Sequence, residues 1–159
     1  MADKQPTIVD ELKQTRPFAT AAQEATVALL RTTDLVRRRL TSVVEEEDLT
    51  LQQYNVLRIL RGSQGKPLCA LEIRDRLIEQ TPGVSRLLDR LLEKGLIRRD
   101  RSSTDRRLLE CFISGKGLDV LARLDSRVNE ADAQVLDALS AVEIKTLNKL
   151  LSKIRRSNR

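Results

Sequence analysis

Residues 86–107 hold eight basic side chains against four acidic ones, and Arg86, Arg90, Arg98, Arg99, Arg101, Arg106 and Arg107 supply all but one of the positive charges. A guanidinium is always charged and presents a planar fork of donors, which suits two-point contact with phosphate oxygens or a guanine edge. A solvated charged face is the plainer alternative reading of such a run. Other chemistries are poorly provided for. The chain contains no histidine, which removes the usual general base, the commonest metal ligand and most catalytic triads. Its two cysteines, Cys69 and Cys111, lie far apart and form no C-x-x-C pair, so neither a zinc site nor a dithiol motif is expected. Each sits among apolar neighbours, Cys69 beside Leu68 and Cys111 between Leu109 and Ile113 in alternation, where a small buried core residue is the expectation and a redox sensor the alternative. No glycine-rich phosphate loop occurs. We expect no enzyme, no metal and no cofactor.

The charge is unevenly placed. Residues 50–113 carry 13 basic and eight acidic side chains, whereas residues 1–49 carry seven and nine, within a net charge of +6 for the 159-residue chain. Hydrophobic residues make up 40% and charged residues 33%, the composition of a soluble helical protein long enough to bury one core. Two Phe, one Tyr and no Trp leave Leu, Ile, Val and Ala to build it. No apolar run approaches the roughly 18 residues of a membrane span, and the first 17 residues mix acids, bases and prolines without a signal-peptide apolar stretch. A cytoplasmic protein with no membrane partner is expected.

The arginines need elements to hold them. The stretch 67–114 reads as a short helix over 70–79 with Leu71, Ile73 and Leu77 apolar, then a polar break. A second helix follows, capped by Thr81 with Pro82 in its first turn, where a missing N–H costs nothing. Its inner face is Val84, Leu87, Leu88, Leu91 and Leu92, and Lys94-Gly95 ends it. A strand from Leu96, an Arg-rich turn DRSSTDRR and a returning strand over 108–113 complete the pattern. That order is helix-turn-helix followed by a β-hairpin wing. Upstream, Thr50 and Gln53 suit a capping box for a helix closed by Gly62. The flanks are long helices. Phe18, Ala22, Ala25, Leu29, Thr33, Val36, Leu40 and Val43 form a near-heptad stripe over 18–46, ended by the acidic run at Glu45–Asp48. A second stripe, Leu121, Leu124, Val128, Ala131, Val135 and Ala138, follows a Ser114 cap, and Ser140 with Glu143 opens a last helix with Ile144, Leu147, Leu151 and Ile154 on one seam. Such stripes call for partner helices, and a two-fold homodimer is the economical answer. The fold class is mainly α with a small β-hairpin (α+β): an N-terminal arm over 1–17, expected to fray, a dimerisation helix over 18–48, a winged helix-turn-helix domain over 49–113 and C-terminal dimerisation helices over 114–159.

From Leu49 to Leu121 the sequence resembles the MarR family of bacterial transcription regulators. The match is carried by Leu49-Thr50 with Gln53, Val56 and Leu57, by TPGVSRLLDRLLEKGLIRR, by Asp105-Arg106-Arg107, and by Ile113-Ser114-Gly115-Lys116-Gly117. The resemblance implies a homodimer that binds a pseudo-palindromic operator in double-stranded DNA, usually as a repressor, and is released by a small-molecule effector or an oxidant. Three departures matter. Ser114 stands where the family commonly has Thr. The turn IEQTPG differs from the family's usual pattern, so no base preference carries over. The first long helix has no Cys, which disfavours the peroxide-sensing branch, and the lack of His disfavours the zinc-sensing one.

On this reading the second helix enters the major groove and its first turns meet base edges. The expected reading surface is Gln80, Thr81, Gly83, Ser85 and Arg86, with Arg86 on guanine or phosphate, Gly83 allowing close approach, and Arg90 either on phosphate or paired with Glu93. By family match Arg107 is the wing's minor-groove arginine, beside Arg106, with Asp105 shaping the turn through a local ion pair. Arg101, Ser102, Ser103 and Thr104 are expected to add backbone contacts, and only one of Arg98 and Arg99 can face DNA. The rival readings are a winged-helix module used only for protein–protein assembly, which would not need so many arginines, and an RNA binder, which would want aromatic platforms.

Overall fold

A computed structural model describes residues 6–79, 82–102, 105 and 107–158. Two compact units divide within the first long helix, one over Met1–Arg39 and one over Leu40–Arg159.

In the first unit the arm is ordered as a short helix, α1 (Ile8–Glu11), where fraying was expected. Thr7 explains it: its hydroxyl accepts from the Asp10 amide, and the Asp10 carboxylate accepts from the Thr7 N–H at 2.8 Å. The long helix α2 (Ala21–Val44) begins three residues later than the stripe predicts. Thr20 accepts from the Gln23 N–H at 3.1 Å, and the Gln23 amide oxygen accepts from the Ala19 N–H, so a cap beyond Pro17 sets the start. No described residue up to Arg39 is buried, and Leu29, Leu30 and Leu35 stand exposed.

The second unit holds the core. The end of α2 runs into a 3-10 turn (Glu45–Glu47) that stops at Asp48, whose φ of 55° breaks the helical path. Helix α3 (Leu51–Gly62) opens with the expected capping box, Gln53 N–H to Thr50 Oγ1 and Thr50 N–H to Gln53 Oε1. Gly62 is still helical; the chain turns at Gln64 and Gly65, both at positive φ. Strand β1 (Leu68–Cys69) leads into α4 (Ala70–Arg76). Helix α4 ends well short of residue 79, because Leu77 turns to an extended conformation and the Asn55 side chain of α3 accepts from the Ile78 N–H at 3.0 Å. Then come α5 (Val84–Glu93), β2 (Ile97–Arg101), β3 (Leu109–Ile113), α6 (Gly115–Val135) and α7 (Ala141–Ser157).

The sheet has three antiparallel strands in the order β1-β3-β2. Arg99 lies opposite Cys111, and Leu68 opposes Cys111 from the other side. Val44, Val56, Leu57, Leu60, Ile73, Leu88, Leu91, Leu121 and Leu124 are shut off from solvent almost completely and form one cluster with Tyr54, Leu96, Ile97 and Cys111. Two expected core positions lie outside it: Leu71 and Leu92 are exposed. In α6 the buried stripe stops at Ala131, and the helix ends at Val135, short of Ala138, the last position of the expected stripe. Helix α7 has the expected Ser140–Glu143 capping box, yet none of its residues is buried, and Val142, Leu150 and Ile154 are widely exposed.

Ion pairs tie the unit together outside the core. Arg61 grips Asp125 through both terminal nitrogens at 2.8 and 2.9 Å. Arg123 holds Glu47 in the same two-pronged way at 2.9 and 2.7 Å, Arg127 pairs with Glu46, and Lys94 reaches Asp48 at 2.8 Å. Glu46 and Glu47 of the acidic run that ends α2 therefore answer arginines on α6. Those arginines hold the Glu46 and Glu47 carboxyls below the usual carboxylate range, as Arg61 does for Asp125.

Candidate nucleic-acid interface

Helix α5 divides cleanly. Val84, Leu87, Leu88 and Leu91 face the core, while Ser85, Arg86, Asp89, Arg90 and Glu93 face solvent. The helix begins at Val84 with Gly83 in the cap position, so Pro82 lies in the preceding turn and not in the first helical turn. Gln80 and Thr81, expected on the reading surface, lie outside the described residues, as does the Thr81 cap. Gly83, Ser85 and Arg86 come together at the open end of α5, with Arg90 one turn on. Among the described residues Arg86 and Arg90 have no salt-bridge partner; the alternative pairing of Arg90 with Glu93 is not formed.

The hairpin is β2 and β3 in register from Ile97 opposite Ile113 to Arg101 opposite Leu109. Arg101 is exposed at its outer end. Ser102, expected to touch the DNA backbone, is only 3% exposed. Its N–H donates to the Leu108 carbonyl at 3.0 Å and its hydroxyl accepts from the Asp105 N–H at 3.5 Å, so it closes the loop from inside. Asp105 shapes the turn through the backbone: its carboxylate accepts from the Arg107 N–H at 3.0 Å, two residues on. Arg107 is exposed. Ser103, Thr104 and Arg106 lie outside the described residues.

Strand alternation sends Arg98 and Arg99 opposite ways. The Arg98 guanidinium lies 4.0 Å from the centre of the Phe112 ring and pairs with Asp100. Arg99 turns inward against α5, 16% exposed, and its Nη1 donates to Asp89 Oδ1 at 2.6 Å. Asp89 was not singled out from the sequence. A reversal at Gly95 (φ 70°) folds β2 back on α5 and brings an acid and a base ten positions apart into contact. Opposite Arg99, burial pushes the Cys111 thiol up from its ordinary range against the pull of the guanidinium; Cys111 is buried, Cys69 half-buried, and both are free thiols.

The wing is also anchored behind. Ser114 caps α6 by accepting from the Gly117 N–H at 3.0 Å while its hydroxyl donates to the Gly95 carbonyl at 2.7 Å. Lys116 donates to the Lys94 carbonyl at 2.8 Å. Thus α5, the Gly95 turn and the start of α6 form one joint. Among the described residues no group of three or more Cys, Asp or Glu could hold a metal ion, and no helix is long and apolar enough to cross a membrane.

A helix with an open, arginine-bearing face, a turn and helix before it, and an arginine-edged hairpin after it define a winged helix-turn-helix DNA-binding transcription regulator. The MarR family model matches residues 49–109. A MarR transcription factor from Planctomyces limnophilus is 33% identical over 86% of this chain and 98% of its own, with a TM-score of 0.67. The chain belongs to the MarR family. The same fold is seen in a MarR family regulator from Streptomyces coelicolor, 22% identical over 91% of this chain and 99% of its own, TM-score 0.81. A second from the same organism, crystallised in complex with DNA, is 20% identical over 89% of this chain and 94% of its own, TM-score 0.79.

Proposed function

We propose that the chain acts in the cytoplasm as a homodimer on a pseudo-palindromic operator, α5 of each copy lying in the major groove and each hairpin reaching the minor groove. In this reading it represses transcription until a small-molecule effector lowers its affinity for the operator, and it catalyses no reaction. The observation that carries it is the exposed pair Arg86 and Arg90, without a salt-bridge partner among the described residues, on the one face of α5 that the core leaves open. Arg86 meets a guanine edge or a phosphate, Arg90 a phosphate, and Arg107 the minor groove, where narrow A·T-rich stretches concentrate negative potential. Two copies would set their α5 helices about one turn of DNA apart, ~34 Å. The homodimer draws its support from the apolar side chains left exposed along α2 and α7, which separate copies would have to keep in water.

A duplex enriched from a random pool by the full chain, titrated across salt by fluorescence anisotropy, tests the core of this reading. Affinity should fall steeply with salt as counterions are released. Arg107→Ala should keep the sedimenting species dimeric, weaken binding, and lower the salt slope by about one unit per lobe. An unchanged slope and affinity would remove Arg107 from the interface. Absence of any binding at low salt would refute DNA recognition altogether.

A further inference from the structure

Arg99 sits in the middle of the most basic stretch of the chain, yet its guanidinium is folded away from solvent. Its Nη1 donates to Asp89 on α5 at 2.6 Å, and its Nη2 approaches the Ser85 carbonyl at 3.5 Å, the long edge of a hydrogen bond. Ser85 and Asp89 lie one turn apart on α5, the first beside Arg86. We propose that Arg99 is a positioning residue: it braces the wing against the DNA-facing half of α5 and so fixes the offset between the arginine of the helix and that of the hairpin. The proposal rests on the DNA-binding reading above.

The geometry makes a brace necessary. Helix and wing diverge from one hinge, the Lys94–Gly95 turn, with Gly95 at a φ of 70°. From Asp89 to Gly95 the helix rises about 9 Å, and from Leu96 to Arg99 the strand extends about 10 Å. Over arms of that length a small change of angle at the hinge becomes a displacement of several ångströms at the hairpin tip. The Arg99–Asp89 contact closes the third side of the triangle. Arginine suits the task because its planar fork reaches two acceptors at once, where an ammonium gives a point contact. With Arg99 largely withdrawn from water and flanked by Cys111 across the strand pair, the ion pair is screened less than the exposed ones on α6. The wing's outer face is left to Arg98 and Asp100, which pair with each other, and its end to Arg101 and Arg107.

A phosphate contact and a brace give different signatures. In the full chain, Arg99→Gln should weaken binding to the enriched duplex about tenfold, summed over two lobes, and narrow the ratio over an unrelated duplex. The salt slope should stay as in the wild type, because no counterion-releasing contact is lost. Arg99→Lys should recover part of the loss. A slope reduced by about one unit per lobe would make Arg99 a phosphate ligand and overturn the proposal. Unchanged affinity and ratio would overturn it too. Asp89→Ala removes the contact from the exposed helix side, and serves if the Arg99 variants fail to fold. In the free protein it should speed amide hydrogen exchange in β2 and β3, with an unchanged melting temperature; unaltered wing exchange would overturn the brace. That last measurement needs no DNA, so a wild type that binds no duplex defeats the function while leaving the brace to be judged by exchange.

Discussion

At the scale of single residues, the proposed function gives the exposed face of α5 two roles that composition cannot distinguish. Arg86 lies in the first turn, where a recognition helix meets base edges, and Arg90 lies a turn further from them. Arg86→Ala is expected to cost about 1–3 kcal/mol on the preferred duplex and to relax preference at one base pair, whereas Arg90→Ala should weaken all duplexes evenly and flatten the salt dependence. Binding selections repeated with each variant would tell them apart. If Arg86→Ala left every position of the selected sequence as sharp as before, its base contact would be disproved. Ser102 shows the limit of reading such roles from residue type. A serine in an arginine-rich turn is a natural phosphate ligand, but the N–H and hydroxyl of Ser102 are committed to closing the loop. Nothing in the local sequence announces that inward turn.

At the scale of elements, the parts with local chemical signals were legible and the long-range ones were not. Capping at Thr50 and Ser140 and the hairpin follow from neighbouring residues, and all are present. The early end of α4 depends on Asn55, 23 positions away, and the Asp89–Arg99 contact on a reversal between helix and strand. Local pattern carries no record of either. Gly117 is a similar case. It looks like an ordinary small residue near a helix start, yet a Cβ there would stand 2.3 Å from the Leu96 carbonyl oxygen and 2.9 Å from Ile113 Cγ1. The closer neighbour is backbone and cannot swing aside, so Gly117→Ala should cost about 1–3 kcal/mol of stability. Denaturant titration would show it as a lower midpoint at unchanged slope, and a wild-type midpoint would mean that α6 shifts freely at its start.

At the scale of the whole molecule, the acidic turn after α2 gives the second unit a pH limit. Glu46, Glu47 and Asp125 are all held below their ordinary values by arginine partners. A carboxylate with a depressed folded-state value stabilises the fold fully above its unfolded value, about 4 to 4.5, and loses that contribution as pH falls through the folded value. The melting temperature should therefore be flat near neutrality and drop below about pH 4.5. Glu47→Gln combined with Asp125→Asn should lower the neutral plateau and shallow the acid decline; an acid decline as steep as the wild type's would place the titrating groups elsewhere. Uncovered apolar surface is the other feature of this scale. Of the stripes read along α2 and α7, Leu29 and Ile154 are exposed and Ile144, Leu147 and Leu151 only half-buried, while Leu30, Leu35, Val142 and Leu150, off the stripes, add exposed apolar surface that the sequence pattern had not marked.

Tyr54 has one more consequence. It is the chain's single tyrosine, the chain has no tryptophan, and the ring lies buried in α3 with the Arg58 guanidinium 5.8 Å from its centre. All indole and phenol optical signal thus arises from one spot in the core of the second unit. Absorbance near 280 nm, beyond the phenylalanine band, and tyrosine emission will follow the melting of that core without contamination from the first unit. A tryptophan placed at Phe112, beneath Arg98 on the wing, would add a second colour that reports on the hairpin alone.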